Sequence, residues 1–114
     1  MSQLNEMDCV TPSGDQPALS NAEIEAYRQL IPDWEIVEKE GINRLERAFK
    51  FKNFKQALAF TNQVGELAEE QDHHPMLQTE WGKVTVTWWT HRIKGLHLND
   101  FIMAAKSDQT YQAS

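Results

Sequence analysis

The sequence predicts an α+β fold, a four-stranded antiparallel sheet with three helices packed on one face, in the order α-β-β-α-β-β-α. Two stretches, 34–51 and 76–90, alternate apolar and polar residues and are each interrupted by a glycine, which is typical of β-hairpins. Three other stretches carry apolar residues at helical spacing. Because hairpin strands run antiparallel, we expect one antiparallel sheet covered by the helices.

The first two helices are predicted from capping signals. Ser20 and Glu23 match a capping box, and Pro32 stops the helix that they begin. Asn53 and Gln56 resemble a second capping box, which opens a longer helix. The buried stripe of this helix is predicted to consist of Phe54, Ala57, Leu58, Thr61, Val64, Leu67 and Ala68.

The last helix is predicted from about Leu98 to Ala105 or beyond, with Asp100 in its first turn, where the helix dipole favours negative charge. His97 lies near the start of this helix and is predicted to be solvated or to cap it.

The two hairpins are predicted to turn at Gly41 and at the pair Gly82 and Lys83. Arg47 interrupts an otherwise apolar face of the first hairpin, formed by Leu45, Phe49 and Phe51.

Residues 1–19 are predicted to form a flexible N-terminal arm, and residues 20–114 a single domain. The arm contains Pro12, Gly14 and Pro17 among small polar residues, with little periodicity. A length of 114 residues fits one domain.

The composition excludes several classes of function. The formal net charge of −6 repels phosphate backbones and anionic membranes, so direct contact with nucleic acid or membrane is not expected. Cys9 is the only cysteine, which rules out an internal disulfide and fits a reducing compartment. The first basic residue is Arg28, so no early basic segment of a secretory signal is present. We therefore expect a cytoplasmic protein.

Three of the four histidines, His73, His74 and His91, lie close together in the sequence. Imidazole titrates near neutral pH, so two of these rings could act as general acid and general base in one reaction. Two alternatives stay open at this point. The histidines could be ordinary solvated or hydrogen-bonded residues, or they could bind zinc, although adjacent ligands followed by Pro75 lack the spacing of common zinc motifs. No GxSxG elbow or Gly-rich phosphate loop is present.

The segment 69–75, which reads EEQDHHP, followed by Trp81, His91 and Asp100, resembles the motif of the pterin-4a-carbinolamine dehydratase family. Residues 76–80, 82–90 and 92–99 separate these anchors with the spacing of the family pattern. The stretch 79–91 is similar to the bacterial branch of the family.

The resemblance implies a lyase, a 4a-hydroxytetrahydrobiopterin dehydratase. Such an enzyme removes water from 4a-hydroxytetrahydropterin and gives quinonoid dihydropterin, thereby recycling the cofactor of aromatic amino-acid hydroxylases. It also implies that the reaction needs no metal and no organic cofactor. Carried over by position, His73 and His91 are expected to transfer protons, and His74 to bind and polarise the pterin ring.

The same resemblance implies supporting residues around the three histidines. Asp72 and Asp100 are expected to support the catalytic rings, and Trp81 to lie in the wall or the core. Glu69 is either a supporting residue or a solvated helix end. Animal members commonly carry an aromatic residue in the place of Leu77 and a basic residue in the place of Asn99, so their detailed pterin contacts are not carried over to this chain.

A competing function is that of a regulatory or dimerisation partner. Animal members of the family also act as dimerisation cofactors of a transcription factor, and some bacterial members are linked to expression of a hydroxylase. The resemblance further implies a homodimer or homotetramer and a functional link to phenylalanine hydroxylase. Exposed edge strands and the pair Trp88 and Trp89 are expected to contribute to assembly.

Overall fold

The structure is a computed structural model that describes residues 4–10 and 17–113. Its elements follow the predicted order. They are α1 (Asn21–Arg28), β1 (Glu35–Lys39), β2 (Ile42–Lys50), α2 (Phe54–Gln71), β3 (Met76–Glu80), β4 (Lys83–Trp88) and α3 (Leu98–Gln112), with short 3₁₀ helices at Leu4–Glu6 and His91–Ile93. None of the helices within the described ranges is long and apolar enough to cross a membrane.

The four strands form one antiparallel sheet in the order β1-β2-β4-β3. Leu45 lies opposite Trp88 and Phe49 opposite Val84, and all four side chains are buried on the face that α2 and α3 cover. Because β4 lies inside the sheet and Trp88 is fully buried, the expectation that Trp88 helps to form an oligomer interface is wrong.

The predicted turn at Gly41 is confirmed. Glu40 and Gly41 both have positive φ angles, 56° and 77°, as the tight turns that match the twist of a hairpin require. At Gly82, φ is 74° and an added Cβ would lie 3.1 Å from the carbonyl oxygen of Phe51, so the second turn also needs glycine.

The helices differ from the prediction in two respects, the end of α1 and the buried face of α2. The first helix ends at Arg28, before Pro32. In α2 the residues that face the sheet are Ala57, Phe60, Val64 and Ala68, whereas Phe54 and Leu58 are 45% and 43% exposed. Two apolar rows lie side by side on this helix, and only packing against the sheet decides which row is buried.

The prediction of a loose arm is wrong for residues 4–10, which lie against α3. Leu4 is buried in the core, and Lys106 Nζ of α3 donates a hydrogen bond of 3.1 Å to the carbonyl oxygen of Asn5. Burial of Leu4 removes its apolar side chain from water, and this favourable free energy would be absent if the arm were solvated. Residues 1–3 and 11–16 of the predicted arm lie outside the described residues.

Arg47 joins the apolar face of β2 to the end of α3. Its guanidinium lies 4.4 Å from the ring centre of Phe49, and its NH1 group is 2.6 Å from Asp108 Oδ1. The same oxygen accepts a 2.9 Å hydrogen bond from Trp34 Nε1. Burial raises the pKa of Asp108, and the hydrogen bond from Trp34 and the charge of Arg47 oppose that effect. The cation therefore sits on the core face because it has a carboxylate partner there.

Replacing this carboxylate should destabilise the fold. In Asp108→Ala the indole N–H and the guanidinium lose a shared acceptor, so the free energy of unfolding should fall by about 1–3 kcal/mol. The control is Asp33→Ala, because this carboxylate is 3.7 Å from Arg47 but 67% exposed, and its loss should cost less than about 1 kcal/mol. Urea unfolding measures both, and equal effects would contradict the assigned role of Asp108.

Candidate active site

The end of α2 turns the chain so that His73 points inward. Asp72 adopts the left-handed conformation, with φ 53° and ψ 43°. The amide of Asp72 bonds back to Glu69 and the amide of His73 bonds back to Ala68, at 3.3 Å and 3.1 Å, which is the hydrogen-bond pattern of a Schellman cap. Asp72 thus has a backbone role, for which Asp is better suited than most residues.

A buried carboxylate holds the ring of His73. Asp100 has no exposed surface, and its Oδ1 lies 2.6 Å from His73 Nε2. Its other oxygen, Oδ2, accepts from Thr90 Oγ1 at 2.8 Å and from the amide of His97 at 2.9 Å. The ring of His73 also stacks on Trp88, with 5.8 Å between centroids and 9° between planes. A carboxylate accepts hydrogen bonds only, so its contact with Asp100 needs the hydrogen of the His73 ring on Nε2.

His74 has a more open setting than its neighbour. Its side chain is 53% exposed, and Nε2 lies 3.2 Å from Glu69 Oε2, whose side chain is 79% exposed. A pair this exposed contributes little to stability. It can still orient the imidazole.

His91 begins the 3₁₀ helix that follows β4. Its ring packs against the indole of Trp89, with 4.5 Å between the two centroids. The guanidinium of Arg44 also lies over this indole, 4.0 Å from the centroid of Trp89. The amide of Thr90 donates to the carbonyl of Gly95 at 2.9 Å, which folds the segment after β4 into a tight loop. This loop projects His91 beside the end of α2.

All three histidines that the sequence singles out line one pocket with a volume of about 240 Å³. This is slightly below the range of pockets for drug-sized ligands and suits a small heterocycle. The residues that line it are Cys9, Val10, Gln71, Asp72, His73, His74, Thr90, His91 and Arg92.

The other predicted site residues lie at different places. Asp72 lines the pocket, and Asp100 lies behind His73. Glu69 touches His74 but does not line the pocket. Trp81 is 73% exposed at the turn between β3 and β4, at the end of the hairpin away from the histidines, so its predicted position in a wall or the core is wrong. Trp81 comes directly after the last residue of β3 and therefore lies in the turn, where none of the described helices covers it.

Several residues that contact or line the site were not predicted from the sequence to be part of it. Thr90 anchors Asp100, Trp88 stacks on His73, and Arg92 follows His91 in the loop. Their closeness to His91 in the sequence is the signal that could have identified them. For Cys9 and Val10, which come from the opposite end of the chain, no local signal exists.

A larger groove of about 830 Å³ lies between the end of β2, α2 and the end of α3. It is lined by Lys50, Phe51, Lys52, Gln56, Ala59, Phe60, Gln63 and Tyr111. None of these side chains ordinarily titrates near neutral pH. The three histidines that the sequence singles out lie instead in the smaller pocket.

Cys9 contributes a neutral group to the histidine pocket. Burial, together with the charge of Asp100, raises the pKa of the Cys9 thiol to about 11, so the thiol stays protonated near neutral pH. Across residues 4–10 and 17–113, no group of three or more His, Cys, Asp and Glu side chains is placed to hold a metal ion.

The fold and the pocket together define a small α+β protein in which three imidazoles line one small pocket. A family model described as pterin 4 alpha carbinolamine dehydratase matches residues 17–110. The chain belongs to that family.

The solved structures that resemble this one include the following two. A Brucella melitensis protein, described as a transcriptional coactivator/pterin dehydratase, is 32% identical, with a TM-score of 0.75, over 82% of this chain and 97% of that protein. A pterin dehydratase-like protein, described as a RuBisCO assembly factor in the α-carboxysome, is 23% identical, with a TM-score of 0.60, over 72% and 93% of the two chains. The second likeness concerns the fold alone.

His97 makes the stability of this region depend on pH. Its Nδ1 accepts a 3.0 Å hydrogen bond from the amide of Asn99, which confirms the predicted capping position. Burial lowers the pKa of His97 below 6.5 and outweighs the opposite effect of Asp100. Since the folded protein binds this proton more weakly than the unfolded chain, the contribution of the neutral ring is complete above pH ~6.5 and is lost as the pH falls through the lowered pKa.

We expect His97→Asn to keep the cap but to remove this titration, because Asn is a good capping residue without a charge change. Between pH 7.5 and 5.5, the free energy of unfolding should fall more in the wild type than in the variant. Urea unfolding at the two pH values measures the difference. The same loss in both proteins would show that His97 does not contribute.

Proposed function

We propose that this protein dehydrates 4a-hydroxytetrahydropterin, for example 4a-hydroxytetrahydrobiopterin, to the quinonoid dihydropterin by histidine acid–base catalysis. The observation that carries the proposal is that three imidazoles from two separate segments line one small pocket in a chain of this family. The reaction proposed needs proton transfer only and uses neither a metal nor an organic cofactor.

The chemistry requires one acid and one base. A proton delivered to the 4a-hydroxyl oxygen allows the C4a–O bond to break, and water leaves with the bonding electron pair. Loss of the N5 proton then completes the C4a=N5 double bond, so the atoms and charges balance. Each well-placed proton-transfer group is worth on the order of 10²–10⁴-fold in rate.

The geometry supports different roles for the three rings. Asp100 fixes the orientation and tautomer of His73 through the 2.6 Å contact, which suits a group that must accept a proton at a fixed place. We assign the proton transfers to His73 and His91. His74, exposed and paired with Glu69, is assigned to binding and polarising the pterin ring.

Two variants test the assignment. His73→Ala and His91→Ala should each lower turnover of freshly generated carbinolamine by about 10²-fold or more. Gln63→Ala, an exposed residue of α2 outside the histidine pocket, is the control and should keep wild-type turnover. Thermal unfolding shows whether each variant is folded. Wild-type turnover in both folded histidine variants would disprove the acid–base roles.

The second candidate is a regulatory or dimerisation partner that controls expression of a hydroxylase, with catalysis secondary. The observation in its favour is that the Brucella melitensis relative is described as a transcriptional coactivator as well as a pterin dehydratase. A regulator alone would not accelerate dehydration, so the same assay separates the two.

If the enzyme function holds, we place the protein in the cytoplasm, recycling the pterin cofactor of an aromatic amino-acid hydroxylase such as phenylalanine hydroxylase.

We further propose that the chain forms a homodimer or homotetramer. Phe54, Leu58 and Trp81 are large apolar side chains with exposed fractions of 45%, 43% and 73%. Contact with another copy would remove such surface from water. Light scattering of the purified protein should give the mass of two or four chains, and a monomer at micromolar concentration would contradict the proposal.

A further inference from the structure

We propose that residues 8–10, which lie outside the range matched by the family model, form a binding wall of the pocket and contact the bound pterin through Val10. The inference rests on the proposed function, because it assigns a further binding residue to the same site. It predicts that substrate affinity in this chain depends on a segment that the family pattern does not contain.

Two side-chain amides hold this segment in place. The amide group of Gln71 accepts from the backbone N–H of Cys9 at 2.8 Å and donates to Asp8 Oδ1 at 3.2 Å. Asn99 accepts from the backbone N–H of Val10 at 3.0 Å and donates to its carbonyl oxygen at 2.6 Å. Asn99 thus satisfies both backbone polar groups of Val10, as a neighbouring β-strand would.

The two amides belong to the elements that carry the histidine site. Gln71 ends α2, two positions before His73, and Asn99 lies in the first turn of α3, next to Asp100. Asn99 is 1% exposed, so its side chain is held by packing as well as by hydrogen bonds. The segment is therefore positioned by the same elements, α2 and α3, that carry His73 and Asp100, and a site on such rigid supports is well placed to contact a ligand.

Val10 presents an apolar surface to the pocket. Its side chain lines the pocket yet is 64% exposed, although both backbone groups are bonded. The adjacent thiol of Cys9 is also a lining group and stays neutral. A planar heterocycle in the pocket would cover this wall and remove its apolar surface from water. Because the wall carries no group that exchanges protons near neutral pH, its contribution should be to binding more than to the chemical step.

The test compares substrate binding in Val10→Ala, Val10→Ile and Asn99→Ala. Truncation to Ala removes two carbon groups from the wall and should raise KM, and the Kd for 7,8-dihydrobiopterin, by roughly three- to tenfold, with a smaller effect on kcat. Val10→Ile keeps the apolar contact and should bind the substrate about as well as the wild type does. Leu30→Ala, an apolar residue that is 52% exposed elsewhere, is the matched control and should bind as the wild type does.

A double variant tests whether Asn99 acts through Val10. If Asn99 positions the wall, Val10→Ala should raise KM much less in the Asn99→Ala background than in the wild type, because the released segment no longer presents residue 10 to the ligand. Full additivity would show that the two residues act independently and would overturn the positioning role. Thermal unfolding checks that Asn99→Ala is folded. If Asn99→Ala is unfolded, the single variant Val10→Ala still tests the wall, because a substitution at an exposed residue should leave the fold intact.

The outcomes separate this inference from the proposed function. An active wild type with an inactive His73→Ala variant, and with Val10→Ala at wild-type KM and Kd, would overturn the wall and leave the enzyme function standing. A wild type that neither binds 7,8-dihydrobiopterin nor dehydrates the carbinolamine would overturn the function, and the wall with it.

Discussion

The carboxylate of Asp100 is the interaction on which the site depends. It is fully buried, and it bonds to three segments: His73 after α2, Thr90 after β4, and the backbone of His97 before α3. Burying a charge is costly unless hydrogen bonds and favourable dipoles compensate for it. Here three donors and the start of a helix do so, which makes the position of each donor part of the stability of the fold.

This arrangement explains why the pocket lies at one end of the sheet. The ends of α2 and β4 and the start of α3 meet where Asp100 is buried, and His74 and His91 extend from that meeting point toward solvent. His73 is held by a carboxylate and by Trp88, whereas His74 and His91 are exposed. The pocket therefore combines one imidazole that contacts a buried carboxylate with two accessible ones.

Much of the fold could be predicted because its signals are local. The capping box at Ser20 and Glu23 and the turn at Gly41 depend on neighbouring residues only, and both are present in the structure. The buried row of α2 could not be assigned with the same reliability, since Leu58 and Phe60 are both apolar and lie on adjacent rows. Packing on the sheet decides between them. The exposure of Trp81 was missed, although Trp81 precedes the turn at Gly82 and so lies at the end of the hairpin away from the histidines.

The sequence by itself determined the order of the elements, their turns and caps, and the identity of the three histidines, because each depends on spacing along the chain. The tertiary structure alone decided which ring Asp100 contacts, that Glu69 stays outside the pocket, and that Cys9 and Val10 line it. Those facts join residues as far apart as Val10 and Asn99. Contacts at such separation are set by how the helices pack on the sheet, for which no local pattern in the chain carries a signal.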